Sequence, residues 1–183
     1  MKTSYLFLAE GFEEIEALTT VDMLRRAGMP VKTVSIVSQK EVKGAHGIPV
    51  VADMLFEPLN LTDTDWLILP GGLPGATHLG AFAPLQQLLK SHASQNGNIA
   101  AICAAPSVLG DLGLLDGRKA TCYPGFEPHL TGAVCTAGAV EVSDNVITGK
   151  GPGMAAAFSL AIITRSAGAE KAREVADGML LNE

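Results

Sequence analysis

Few residues of this chain combine reactive chemistry with a setting that could use it, and Cys103 is the first of them. It closes the apolar run Ile99, Ala100, Ala101, Ile102 and stands three residues before Pro106. A continuous apolar run reads as a strand covered on both faces. Pro at a first turn opens a helix. A strand that stops at Cys103 and a helix that starts within three residues force a sharp turn at the cysteine, toward sparsely populated φ/ψ space. Ala104 and Ala105 leave room for that turn. This is the geometry of a nucleophile elbow, without its Gly-x-Ser-x-Gly lettering. A thiol at a helix N-terminus is expected to have a lowered pKa and to react as thiolate. The competing reading is a buried structural cysteine, a frequent fate of that residue.

A nucleophile needs a proton acceptor. No histidine follows Cys103, and no Ser/His/Asp lettering suggests a triad. Glu13, Glu14 and Glu16 follow the first strand and are the better candidates. Glu13 and Glu16 share a helical face with Thr20. With Ile15 and Leu18 expected to face the sheet, one carboxyl can point into the mouth of the fold. Buried there, it would have a raised pKa and could hold a proton for the thiolate. The alternative is a set of solvated first-turn carboxylates. Gly71-Gly72 can offer backbone N–H groups to an oxyanion, together with that of Ala104; the plainer reading is a turn. Gly151-Pro152-Gly153 reads as a helix start with anion-binding potential. His46, His78, His92 and His129 are scattered and read as surface residues, and none has metal-ligand spacing with another. Cys122 and Cys135 read as strand core. With Cys103 they form no disulfide framework and no CxxC site.

Strands are expected over residues 5–9, 31–37, 66–69, 99–102, 120–123, 133–136, 140–143 and 146–148. A small antiparallel excursion is expected around Val42 and residues 48–51. Helices are expected over residues 13–27, 84–95, 106–114, 154–166 and 170–181. The first helix carries Ile15, Leu18, Val21 and Leu24 on one stripe. A strand, a helix and a strand within about 35 residues make a βαβ unit and hence parallel pairing. The alternation predicts one domain over residues 1–183, an α/β fold with a mostly parallel, doubly wound sheet. In such folds ligands bind outside the carboxyl ends of the strands. The four loops at those ends, at residues 10–16, 70–75, 103–106 and 149–153, are the ones just discussed.

Composition narrows the partners. The 183 residues carry a net charge of −6 and 48% apolar residues. Basic residues come in pairs such as Arg25-Arg26 and Arg118-Lys119, which is no stripe for a phosphate backbone. The N-terminal apolar run is too short for a signal sequence and meets Glu10, Glu13 and Glu14. No stretch approaches the ~18 apolar residues of a membrane span. Three widely spaced cysteines suit a reducing cytoplasm. Neither nucleic acid nor membrane is an expected partner.

Four stretches in this order and spacing carry a resemblance: residues 9–16 (Ala9 to Glu16), 69–72 (Leu69 to Gly72), 100–106 (Ala100 to Pro106) and 151–153. The chain resembles the ThiJ/PfpI superfamily over nearly its whole length, and within it the branch of the parkinsonism-associated protein deglycase and its bacterial relatives. The resemblance implies a flavodoxin-like three-layer α/β/α sandwich and a homodimer. It implies Cys103 as catalytic nucleophile, Glu16 as the carboxylic acid that hydrogen-bonds it, and the backbone N–H groups of Gly72 and Ala104 as oxyanion donors. It implies no cofactor and no metal. Ala104 stands where the protease-like branch has histidine, which argues against peptidase activity. The close branch often has His at Tyr123, Arg at His46 and Arg at Lys150. These three possible pocket residues therefore alter its anion-binding surroundings.

Two functions follow. One is an enzyme acting on small α-oxoaldehydes or glycated amines, a glutathione-independent glyoxalase or deglycase that converts methylglyoxal to lactate through a Cys103 hemithioacetal. Glu16 would shuttle the proton. The other is a non-catalytic oxidative-stress sensor or chaperone switched by Cys103 oxidation.

Overall fold

The structure is a computed structural model and describes residues 2–181. Its main sheet starts with β1 (Thr3–Leu8), which leads through a tight loop into α1 (Glu14–Arg26). Arg25 and Arg26 lie in the last turn of α1, where cations suit the carbonyl end, and Gly28 at φ 74 ends it. β2 (Val31–Ser35) then returns parallel to β1. β3 (Glu41–Lys43) and β4 (Pro49–Val51) form a separate antiparallel hairpin, and β5 (Met54–Leu55) joins the sheet edge beside β2. β6 (Thr64–Leu69), α2 (Gly75–Ala81), α3 (Ala83–Ser94), β7 (Asn98–Ile102) and α4 (Pro106–Asp111) follow. β8 (Lys119–Ala120) and β9 (Val134–Cys135) make a small parallel pair outside the main sheet. β10 (Val140–Ser143) and β11 (Val146–Gly149) form a hairpin that turns at Asp144, φ 53. α5 (Ala155–Ala167) and α6 (Ala169–Gly178) complete the chain.

The seven strands lie in the order β10-β11-β7-β6-β1-β2-β5, and only β10 runs antiparallel to its neighbour. With the two-residue edge strand β5 left aside, the parallel strands β2-β1-β6-β7-β11, numbered along the chain, have the order 2-1-3-4-5, that of the flavodoxin-like doubly wound sheet. The winding reverses between β1 and β6, and a crevice opens there at the carboxyl ends.

Alternation along each strand builds two cores, because successive side chains point to opposite faces. Leu6, Leu8, Trp66, Ile68, Ala100 and Ile102 face α1, α5 and α6. Phe7, Leu67, Leu69, Ile99 and Ala101 face α2, α3 and α4. All of these strand residues are buried, which explains why the strands read as unbroken apolar runs.

Several expectations are corrected. Ile15 and Leu18 do not face the sheet but are 56% and 42% exposed. The buried face of α1 instead holds Glu14, Glu16, Ala17, Thr20, Val21 and Leu24. Its two carboxylates find partners inside, and Ser159 Oγ of α5 donates to Thr20 Oγ1 at 3.2 Å. α2 was not expected: its sequence has no capping side chain and little apolar period, and it is helical because Ala76 and Leu79 pack inward. The strand expected over 120–123 is only β8, and the last helix ends at Gly178 rather than at 181. His92 is buried, packed against Gly97, and Cys135 is exposed on β9 rather than in the core. Among the described residues no helix is long and apolar enough to cross a membrane.

Candidate active site

Four strand ends bring the reactive residues together. β7 delivers Cys103, whose N–H donates to the Gly149 carbonyl at 2.9 Å and whose carbonyl accepts from Tyr123 N–H at 2.8 Å. These bonds fix a backbone with φ 65 at a non-glycine residue. That region is costly for a side chain with a Cβ and persists only where the surroundings over-determine it. The elbow expected from the sequence is therefore present in the backbone.

The loop after β1 delivers Glu16 from the first turn of α1. Its side chain is fully buried. Gly71 N–H donates to Glu16 Oε2 at 2.7 Å, while Oε1 is buried with no hydrogen-bond partner in range. The neighbouring reactive group is the Cys103 thiol, which interacts with the Glu16 carboxyl. Gly71 makes this proximity possible: a Cβ there would lie 2.7 Å from Cys103 Cβ and 2.9 Å from Glu16 Oε2. Gly72, at φ 87, packs so closely on the 11–13 loop that a Cβ would lie 2.3 Å from Glu13 N. The backbones of Gly72 and Ala104 act on the Cys103 sulfur in the sense that favours its thiolate.

Both acids are raised. Burial pushes the Glu16 carboxyl up to about 7, against the pull of Gly71 N–H and the thiol, and the Glu13 charge adds to the rise. Burial, followed by the charge and the closeness of the Glu16 carboxyl, pushes the Cys103 thiol up to about 12. The N–H groups of Gly72 and Ala104 pull the other way. This corrects the expected lowering of the thiol pKa: α4 has only six residues, and Cys103 is 8% exposed. A protonated Glu16 removes the charge that raises the thiol and offers its proton to the sulfur. The pair thus shares a proton, and the two N–H donors favour the thiolate once Glu16 is neutral.

The thiol lies at the floor of a cleft of about 240 Å³, walled by Glu13, Leu73, Tyr123, Phe126 and Pro152. Tyr123 lines this cleft. Leu73, Phe126 and Pro152 were missed; only their nearness to the Gly71-Gly72 turn, Tyr123 and Gly151 could have signalled them. Glu13, one of the three candidate carboxylates, is a wall residue as well. His46 and Lys150 do not line this cleft. His46 Nδ1 lies 2.9 Å from Glu14 Oε2 and 3.6 Å from Glu13 Oε1, and Lys150 Nζ donates to the Ala137 carbonyl at 3.3 Å. A larger cavity of about 570 Å³, lined by Lys90, Ser107, Asp111 and His129 among others, holds no cysteine. The side chains of Glu13, Glu14 and His46, with ligand atoms within 4.8 Å of one another, are the set among the described residues that could hold a metal ion. There Glu14 is held by the N–H groups of His46 (2.8 Å) and Ile48 (3.4 Å), and its pKa is lowered by the His46 contacts despite burial.

A family model described as the DJ-1/PfpI family matches residues 2–165. Protein DJ-1 homolog B of Arabidopsis thaliana is 38% identical over 176 residues, covering 95% of this chain and 40% of that one. The chain spans less than half the length of the two Arabidopsis relatives it matches. The glutathione-independent glyoxalase DJR-1.2 of Caenorhabditis elegans is 37% identical, covering 88% of this chain and 87% of that protein. The structure of oxidized Toxoplasma gondii DJ-1 superposes with a TM-score of 0.91 at 35% identity, covering 98% of each chain.

Proposed function

The chain belongs to the DJ-1/PfpI family, and from that premise we propose that it is a cysteine-dependent enzyme of the glutathione-independent glyoxalase or deglycase type. The observation that carries this reading is the buried, unpartnered Glu16 Oε1 beside a Cys103 held at φ 65. A carboxyl raised to about 7 is poised to take and return protons at neutral pH. A relative described as a glutathione-independent glyoxalase supports the same chemistry.

In the proposed cycle Glu16 takes the thiol proton, and the Cys103 sulfur adds to the aldehyde carbon of methylglyoxal. The N–H groups of Gly72 and Ala104 hold the new alkoxide, and Glu16 protonates it to a hemithioacetal. The Glu16 carboxylate then removes the proton from the former aldehyde carbon to give an enediolate and returns it to the neighbouring carbon. The hydroxyl proton on the first carbon passes to the neighbouring oxygen, so that the first carbon becomes the thioester carbonyl and the second carries the hydroxyl. The product is a thioester of lactate. Water cleaves it, releasing lactate and restoring the thiol. Glycated amines would enter through the same adduct.

The working unit of this reading is one domain over residues 1–183, acting in the cytoplasm as a homodimer. Exposed Ile15, Leu18, Ile48 and Val51 on α1 and the β3–β4 region supply an apolar face for that assembly. α5, though rich in small residues, buries Phe158, Ser159, Ile162 and Ile163 within its own chain. The alternative, an oxidation-switched sensor or chaperone, draws support from the oxidized form of the Toxoplasma relative. Incubating purified protein with methylglyoxal and measuring lactate, beside Cys103→Ala, separates the two. Lactate formed by the wild type alone supports the enzyme, and none from either rejects it.

A further inference from the structure

The walls of the Cys103 cleft say more about the substrate than the sulfur does. Leu73 and Tyr123 are 56% and 47% exposed, unusual for large apolar groups, and both flank the thiol. Phe126 and Pro152 continue the apolar wall. Apart from Cys103, the one ionisable carboxyl or amine among the lining side chains is Glu13, an acid. The cations expected nearby are engaged elsewhere. Lys150 Nζ is held by the Ala137 carbonyl, and the His46 ring, two-thirds exposed, reaches chiefly to Glu14. Beneath the thiol lies a second acid, Glu16. An anionic group entering here would lose water, meet no counter-charge and approach one carboxylate.

We infer that the cleft selects α-oxoaldehydes with a neutral, apolar substituent and rejects those that carry a carboxylate or phosphate. This rests on the proposed aldehyde chemistry and goes beyond it. The aldehyde carbon meets the sulfur, the oxygen meets Gly72 and Ala104 N–H, and the substituent lies against Leu73, Tyr123, Phe126 and Pro152. At about 240 Å³ the cleft falls below the roughly 300–1,000 Å³ of pockets for drug-sized ligands, so the substituent is short. Each methylene it buries should raise kcat/KM about threefold to fourfold until the cleft is full.

The test is a series of methylglyoxal, 2-oxobutanal, 2-oxopentanal and 2-oxohexanal, with 4,5-dioxovalerate as the anionic counterpart of the last. The expected result is a rise along the neutral series and at least a roughly tenfold disadvantage for the anion, equivalent to one 1.4 kcal/mol step. Leu73→Lys, at an exposed rim position, should lower 2-oxohexanal turnover and raise that of the anion. A flat or falling neutral series, or an anion used as well as 2-oxohexanal, overturns the inference while leaving methylglyoxal turnover intact. Should no aldehyde be turned over, the enzymatic reading fails and alkylation of Cys103 still reads the cleft. Relative to free glutathione, iodoacetamide should outpace iodoacetate at Cys103 by about tenfold or more, and equal relative rates overturn the inference.

Discussion

Glu16→Gln should stabilise the folded protein by an amount that grows with pH. The carboxyl stands at about 7 in the fold against 4.5 for an ordinary glutamate, chiefly because burial disfavours its charge. Between those values the folded state binds more protons at this position than the unfolded state does. Stability therefore falls as pH rises through that window. The full difference corresponds to about 3 kcal/mol, absent below about pH 4.5 and complete above about pH 7. Gln is close in size, stays neutral throughout, and can accept the 2.7 Å bond from Gly71 N–H through its amide oxygen. One kcal/mol moves Tm by roughly 2–4 °C in a chain of this length, so the variant should melt roughly 6–12 °C above wild type near pH 8. The difference should vanish toward pH 4.5. Thermal melts of both proteins across this range are the assay. A variant that tracks wild type at every pH, or melts lower near pH 8, refutes the claim that Glu16 is a strained buried acid.

Gly71→Ala should cut methylglyoxal kcat/KM by about a hundredfold, since its Cβ would push on Cys103 Cβ at 2.7 Å and a displacement of about 1 Å can cost that much. Gly178→Ala, where nothing lies within 4 Å, should leave turnover unchanged. Peroxide should oxidise Cys103 before Cys122 although burial raises its thiol further, to about 12 against about 11, because Cys103 lines the open cleft and Glu16 can take its proton; peptide mass spectrometry after graded oxidation reads the order. A bulky maleimide should instead label exposed Cys135 first. Sedimentation at micromolar concentration should give a dimer, and Ile15→Glu with Leu18→Glu should give a folded monomer, since both side chains are exposed.

The sheet was legible because its strands are buried on both faces. Runs such as Trp66 to Leu69 have no other plausible setting in a chain of this length. The elbow was legible from the distance between a strand end and Pro106, which left no other backbone path. What escaped depends on packing across the chain. α2 has little sequence signal of its own and forms because the 70–75 turn and the β1 loop hold its start. Ile15 and Leu18 look like core on a helical wheel, but α1 is rotated so that Glu14 and Glu16 reach backbone donors on the 44–48 loop and at Gly71. The direction of the thiol pKa is not legible in the sequence, because a short helix and a nearby carboxylate oppose each other and the depth of burial decides between them. The cleft walls come from four separate loops, and no spacing within one segment reports them.

The central claim is that Glu16 moves the proton for a Cys103 adduct. The measurement that tests it most directly is kcat/KM for methylglyoxal in Glu16→Gln, with the rate of Cys103 alkylation by iodoacetamide measured on the same sample. General acid–base groups contribute about 10²–10⁴-fold, so turnover should fall by that much or more while the thiol remains alkylated. Glu13→Gln, a change on the cleft wall, should cost less. Unchanged turnover in Glu16→Gln would contradict the account and move the proton transfer to another group.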